Sequence, residues 1–212
     1  MKTDMILRKL RRDNTEFTTS DELRAMCHSL GIDYGSAIRH LVPRGHLMKV
    51  FRGVFYVKSL EEEHLGRSKY SHLELVARGL KYKGVEHWYY GLSTALVLNG
   101  MTHERFNVEY VINDHIQRNQ PMKISGYKFV FKKLKPSLLS FGVISERVKY
   151  SDPEKTILDL VYIDRYSGVP PDKTALNVSE YLEVVDSDKL TRYAAHYPST
   201  ISRFAEERLL EH

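Results

Sequence analysis

Along the first 57 residues the apolar positions recur at helical spacing twice and then gather into a short hairpin. Met5, Ile6 and Leu10 fall on one side of a helix predicted over 5–12. A second helix is predicted to open at Thr19-Ser20-Asp21-Glu22, where a hydroxyl is followed by a glutamate three residues on, the pattern of a capping box. Phe17 precedes it where a hydrophobic staple sits, and Leu23, Met26, Cys27 and Leu30 form its inward stripe. Leu30-Gly31-Ile32 reads as a turn. Asp33 then caps a third helix with Tyr34, Ala37, Ile38 and Leu41 on one face and Ser36, Arg39 and His40 on the other; Pro43 ends it. Lys49 to Val57 reads as a hairpin centred on Gly53. This order of elements predicts a winged helix-turn-helix over 1–57, a unit that lays its second helix in the DNA major groove with a β-wing alongside.

The pattern then changes. Residues 58–70 are charged, with Glu61-Glu62-Glu63 in a row, and predict an exposed linker and domain boundary. A helix over 71–80 follows with Leu73, Val76, Ala77 and Leu80 inward. Tyr90 to Leu98 predicts another helix, with Leu92, Ala95 and Leu96 packed, ending at Asn99-Gly100. Phe106 to Asn113 alternates like a strand; Met122–Ser125 and Tyr127–Leu134 flank Gly126 as a hairpin; Val143 to Tyr150 reads as a further strand. Asp152-Pro153-Glu154 is a helix start with an acid at the cap and Pro in the first turn, and Ile157, Leu158, Val161 and Tyr162 continue its buried stripe. Beyond Pro170-Pro171 the pattern is helical over about 174–185, 188–196 and 200–210. The fold class expected is therefore α+β: a winged helix-turn-helix, then a mixed α/β domain over 71–212 with a small antiparallel sheet and C-terminal helices.

Charge sharpens the reading of the first part. The chain has 32 Lys+Arg and 27 Asp+Glu, a net of +5. Residues 1–60 hold 11 basic and 6 acidic residues, whereas the other 152 hold 21 of each sign. A basic head on a neutral body suits double-stranded DNA as partner. Within it Ser36, Arg39 and His40 are the candidate base readers, since guanidinium suits guanine and a hydroxyl suits many base edges. Arg44, Lys49 and Arg52 are candidate phosphate contacts, which position the protein without reading sequence.

The remaining chemistry is sparse. Cys27 is the single cysteine, so neither an internal disulfide nor a cysteine-based zinc site is possible; its place in a helical stripe predicts a buried thiol. None of the ten histidines pair at His-x-x-x-His spacing, and no His-Glu-x-x-His, Gly-x-Ser-x-Gly elbow or phosphate-binding glycine loop occurs. No cofactor, metal or catalytic residue is expected. No run of 18 apolar residues spans a membrane and Met1-Lys2-Thr3-Asp4 lacks the apolar core of a signal peptide, so a cytoplasmic protein is expected. Residues 116–135 carry Arg118, Lys123, Lys128, Lys132, Lys133 and Lys135 and no acid. They read either as a charged sheet face that discourages edge pairing or as a second surface for an acidic or nucleic-acid partner.

Three segments together resemble a known family. Pro43-Arg44-Gly45-His46-Leu47 to Arg52-Gly53-Val54-Phe55-Tyr56-Val57, Leu92 to Thr102, and Asp152-Pro153-Glu154-Lys155-Thr156-Ile157-Leu158-Asp159 are similar, in order and spacing, to the wing, mid-chain helix end and "pErtllD" helix of AbiEi-type antitoxins of abortive-infection, type IV toxin–antitoxin systems. Asn99 stands where that family usually has His, and the Lys-rich hairpin has no counterpart in its pattern. The resemblance implies a winged helix that binds inverted repeats in its own promoter and a C-terminal domain that counters a co-encoded nucleotidyltransferase-like toxin. Two other readings stand beside it: a winged-helix transcription factor whose C-terminal domain senses a ligand or dimerises, and a DNA-binding metal nuclease.

Overall fold

The structure, a computed structural model, describes residues 2–210 and is a mixed α+β fold with, among those residues, ten α-helices and two sheets. The chain divides into two compact units, one running to Glu86 with Lys123–Gly126, the other comprising His87–Met122 and the residues from Tyr127 on.

The first unit is built around one strand. Its elements are α1 (Lys2–Arg12), β1 (Phe17–Thr19), α2 (Ser20–Leu30), α3 (Tyr34–Leu41), β2 (Leu47–Phe51), β3 (Val54–Val57), α4 (Leu60–His64) and α5 (His72–Tyr82). The antiparallel sheet has the order β1-β3-β2, so β3 is central. All four residues of β3 are buried. Phe55 and Val57 join Ile6, Leu10, Leu23 and Leu41 in a core with α1–α3. On the other face Tyr56 meets Phe17 and Tyr70 ring to ring, and α5 closes against the sheet. The approach is tightest at Gly79, where a Cβ would lie 2.8 Å from side-chain atoms of Phe51 and Val50. Two details differ from the helical stripes expected: in α1 Leu7 is buried and Met5 exposed, and in α5 the buried positions are Leu75, Val76, Gly79 and Leu80.

Residues 58–70 are not the exposed linker their charge predicts. They carry α4, opened by a capping box between Ser59 and Glu62, and Glu62 is buried. Its carboxylate accepts from the Tyr56 hydroxyl at 2.6 Å, from the Ser59 amide at 2.8 Å and from the Lys69 amide at 2.7 Å. Burial pushes the Glu62 pKa up, but these three donors outweigh it and hold it below the usual glutamate range. One glutamate of three is thus fully buried and only Glu61 is exposed, since Glu63 is half-buried and pairs with Arg11 and, at 2.6 Å, with His46 Nδ1. The segment folds back on β3 and the compact unit extends to Glu86 rather than ending at 57.

The second unit holds β4 (Trp88–Tyr90), α6 (Leu92–Leu98), β5 (Glu109–Asn113), most of β6 (Arg118–Ile124), β7 (Tyr127–Lys133), β8 (Val143–Ser145), β9 (Lys149–Ser151), α7 (Pro153–Tyr166), α8 (Pro171–Ser179), α9 (Ser187–Ala194) and α10 (Ser199–Leu209). The sheet is larger than expected and not antiparallel throughout: six strands in the order β6-β7-β5-β4-β9-β8, with β5–β7 and β4–β9 parallel. The inner strands read Trp-Tyr-Tyr and Val-Ile-Asn at fully buried positions, the burial that parallel pairs require. The single strand expected over 143–150 is instead a hairpin, β8 and β9.

α7 carries the unit's polar core. The stripe of Ile157, Leu158, Val161 and Tyr162 is buried, but so are Glu154, Lys155, Thr156 and Asp159. Lys155 and Asp159, one turn apart, have fully buried side chains. The Lys155 ammonium donates to Asp159 Oδ1 at 3.3 Å and to the Tyr197 hydroxyl at 3.1 Å, and lies 4.5 Å from the centre of the Phe141 ring. Tyr89 and Tyr197 each donate to the Asp159 carboxylate at 2.7 Å. Burial, then the negative Asp159, push both tyrosines well above their ordinary pKa, so they stay donors. Burial likewise pushes Lys155 down, against the pull of Asp159. Gly142, with φ +62°, admits the lysine: a Cβ there would lie 2.9 Å from Lys155 Cβ and Cδ. At the start of α7, Lys189 reaches Glu154 at 2.7 Å and the capping Asp152 at 3.0 Å.

The two partners of this pair are unequal. Asp159 serves three donors, so Asp159→Leu strands a buried ammonium and two hydroxyls, whereas Lys155→Met leaves a carboxylate that still accepts from two tyrosines. The expected cost of Asp159→Leu is about 3–5 kcal/mol, with Lys155→Met costing clearly less and Lys155→Met/Asp159→Leu less than Asp159→Leu alone. Urea unfolding of the three variants checks the order; equal losses would show that the tyrosine donors do not matter.

Candidate nucleic-acid interface

α2 and α3 are joined by Gly31, Ile32 and Asp33. Gly31 takes the left-handed conformation, φ +61°, and its N–H bonds back to Cys27 and His28 carbonyls. Asp33 then caps α3 by accepting from the Ser36 amide at 2.7 Å. That bond, and then Arg39, hold the Asp33 carboxyl below the usual range. Ala37 and Leu41 are buried, with Tyr34 and Ile38 half-buried against the same core. The Tyr34 hydroxyl donates to Ser20 Oγ at 3.0 Å, tying the start of α3 to the start of α2.

The opposite face of α3 is open. Ser36 and Arg39 are exposed and touch: the Arg39 guanidinium donates to Ser36 Oγ at 3.0 Å and lies 3.8 Å from Asp33 Oδ2. Exposed contacts of this kind contribute about 0–1 kcal/mol, so they orient the guanidinium at little cost to its release. His40, the residue after Arg39, pairs with Arg44 a turn further on, Arg44 Nη1 being 2.6 Å from His40 Nε2. The four side chains thus make two contacts, Arg39 with Ser36 and Arg44 with His40; Ser36, Arg39 and His40 stand on α3, while Arg44 lies beyond its end in the turn to β2.

The β2–β3 turn is Arg52-Gly53, with Gly53 at φ +80°. It does not project as a long wing. Thr19 pairs with Val54, and the Ser20 amide donates to the Gly53 carbonyl at 2.9 Å, so the tip sits against the start of α2. Arg52 is exposed there, with the Lys83 ammonium 3.5 Å from its carbonyl. Lys49 is exposed on β2 opposite Phe55, next to a bulge at Val50. Ser20 thus gathers three features into one edge: the start of α3, the start of α2 and the hairpin tip. Ser20, Tyr34 and Lys83 are members of that edge that pattern reading missed. The capping box hid the first, and the second is half-buried like any core tyrosine. The third lies past the boundary expected at 58–70.

Other candidate chemistry is placed as follows. Cys27 is buried, and burial followed by Asp33 pushes its thiol up, which disfavours the reactive thiolate. Among the described residues no three His, Cys, Asp or Glu side chains are grouped to hold a metal ion. The Lys-rich segment forms β6 and β7; β6 is the edge strand and carries Pro121, and Lys132 donates to Asn119 Oδ1 at 3.0 Å. No helix among the described residues is long and apolar enough to cross a membrane.

No family model and no curated protein matches the sequence. Three chains of solved structures match it. One is the RV2827C protein from Mycobacterium tuberculosis, whose crystal structure superposes with a TM-score of 0.59 at 16% identity, over 99% of this chain and 76% of that one. The likeness is one of fold.

Proposed function

We propose that the first unit is a winged helix-turn-helix that binds double-stranded DNA through α3, and that the protein is an AbiEi-type antitoxin that represses its own operon. The observation that carries the DNA reading is the exposed Ser36–Arg39 face of α3, together with the bonds by which Ser20 ties both the start of α3 and the Gly53 hairpin tip to the start of α2. Arg39 reads a base edge; Arg52, Lys49 and Lys83 meet phosphates; His40 and Arg44, paired with each other, meet the backbone at the C-terminal end of α3. The element order and the β1-β3-β2 sheet support this, as a winged helix has the same succession. The antitoxin reading rests on the resemblance of the three segments. In it the second unit suppresses a co-encoded nucleotidyltransferase-like toxin, directly or through the toxin's substrate, in the cytoplasm and with no catalysis of its own.

Two measurements test the two halves. In mobility shifts on the chain's own promoter, about four phosphates per head give a salt slope of roughly −3.6. Arg39→Ala is expected to lose about 1–3 kcal/mol of discrimination between operator and random DNA, while Arg52→Ala weakens both alike; equal loss on both sequences for Arg39→Ala would remove it from base reading. For the second half, the full chain carrying Arg39→Ala and Arg52→Ala is expected still to rescue growth when co-expressed with the neighbouring toxin. Failure of the wild-type chain to rescue would leave a ligand-sensing or dimerising transcription factor as the better reading.

A further inference from the structure

The second unit has an open cleft of about 400 Å³ between the end of β7 and the last turns of α7. Its floor is apolar, with Leu134 buried and Ile163 half-buried. Its wall is a pair of rings tilted 38° to each other. Tyr166 is 65% exposed, and its ring centre lies 4.5 Å from that of Tyr162, which is buried. Tyr162 in turn packs edge-on against Tyr197, a member of the Asp159 cluster. The outer ring is therefore in contact with the core while most of its surface is open to solvent. Lys133 and Lys135 stand on the rim, both exposed, and neither ammonium has an acidic partner among the described residues. The acid nearest in sequence on α7, Asp164, accepts from Asn177 at 2.8 Å. Basic residues continue from this rim along the same hairpin at Lys132, Lys128 and Arg118, in a segment with no acid from 116 to 135.

We propose that this cleft binds a nucleotide unit, its base stacked on Tyr166 and its phosphate held by Lys133 and Lys135. A flat exposed ring beside unpaired cations is the combination by which proteins hold unpaired nucleotides: every base offers a π-face, and the cations follow the backbone. The volume lies in the usual range for a small-molecule site, roughly 300–1,000 Å³. An acidic protein segment would satisfy the lysines but gives no reason for a single open tyrosine packed against a second. The site differs from the α3 edge in unit, residues and ligand form, so either can fail without the other. The same chemistry serves a free nucleotide or one unit of a single strand.

The test is fluorescence anisotropy of the full chain carrying Arg39→Ala and Arg52→Ala. The probe is a labelled 12-nucleotide oligo-dT or oligo-A, with unlabelled AMP as competitor. Binding of a strand is expected, weakened by Tyr166→Ala roughly 5- to 150-fold and retained by Tyr166→Phe. Lys133→Gln with Lys135→Gln should lower the salt slope by about 0.7, the share of the one phosphate they hold. Competition by AMP would assign the site to free nucleotides, and strand binding that AMP does not displace would assign it to strands; either supports the proposal. Tyr166 is largely exposed, so an unchanged urea midpoint confirms that Tyr166→Ala folds. Strand binding by Tyr166→Ala equal to the parent's would overturn the proposal. So would absence of binding to strand and AMP alike, or Tyr166-dependent capture of poly-glutamate with no nucleotide binding.

Discussion

Burial of both faces of β3 is the constraint on which the first unit depends. A strand covered on one side only would alternate; Val54-Phe55-Tyr56-Val57 does not, and every residue is inside. One face positions α1, α2 and α3. The other calls for a second cover, and α5 supplies it, approaching so closely that only Gly fits at 79. Tyr56 brings a hydroxyl into that interior, and a buried hydroxyl needs a partner. Glu62 provides it, which draws α4 and the residues after it onto the strand. The geometry of the candidate DNA edge follows, because the strand that anchors the core also ends at the Gly53 carbonyl that the Ser20 amide holds.

In the second unit the equivalent role falls to a charged pair inside α7. An isolated ion there would cost several kcal/mol, but the Asp159 carboxylate is shared among one ammonium and two hydroxyls, and the ammonium lies over aromatic rings. The cluster links β4, α7 and the residues before α10 through side chains alone. It coincides with the segment 152–159 that carries part of the family resemblance. That segment therefore has a folding reason for its residues, independent of any partner.

Much of the first unit was legible because its signals are local. A hydroxyl followed by Glu22 opened α2, Gly31 closed it, and Asp33 opened α3, each as the backbone bonds of helix ends require. The buried state of Cys27 followed from helical spacing. What escaped was set by distant partners. Nothing in Glu61-Glu62-Glu63 marks the middle residue as an acceptor for Tyr56. Lys155 looks like a surface lysine until Asp159, Tyr89 and Tyr197 surround it. The unalternating β3 was a readable sign of a second covering layer, as was the buried run in β5 of parallel pairing. On the candidate edge, Arg39, Ser36 and His40 could be grouped from helical phase, but the pairing of His40 with Arg44 and the part played by Ser20 depend on contacts beyond the helix.

The central claim, that α3 reads duplex DNA from the major groove, is most directly tested by methylation interference on the promoter. Dimethyl sulfate places a methyl group on guanine N7 in the major groove and on adenine N3 in the minor groove, two edges that a protein reads separately. Methylation of at least one guanine N7 within the bound site is expected to exclude the full chain from the complex, and Arg39→Ala is expected to lose that interference. Complexes that tolerate N7 methylation at every guanine, or that are blocked only by adenine N3 methylation, would contradict it.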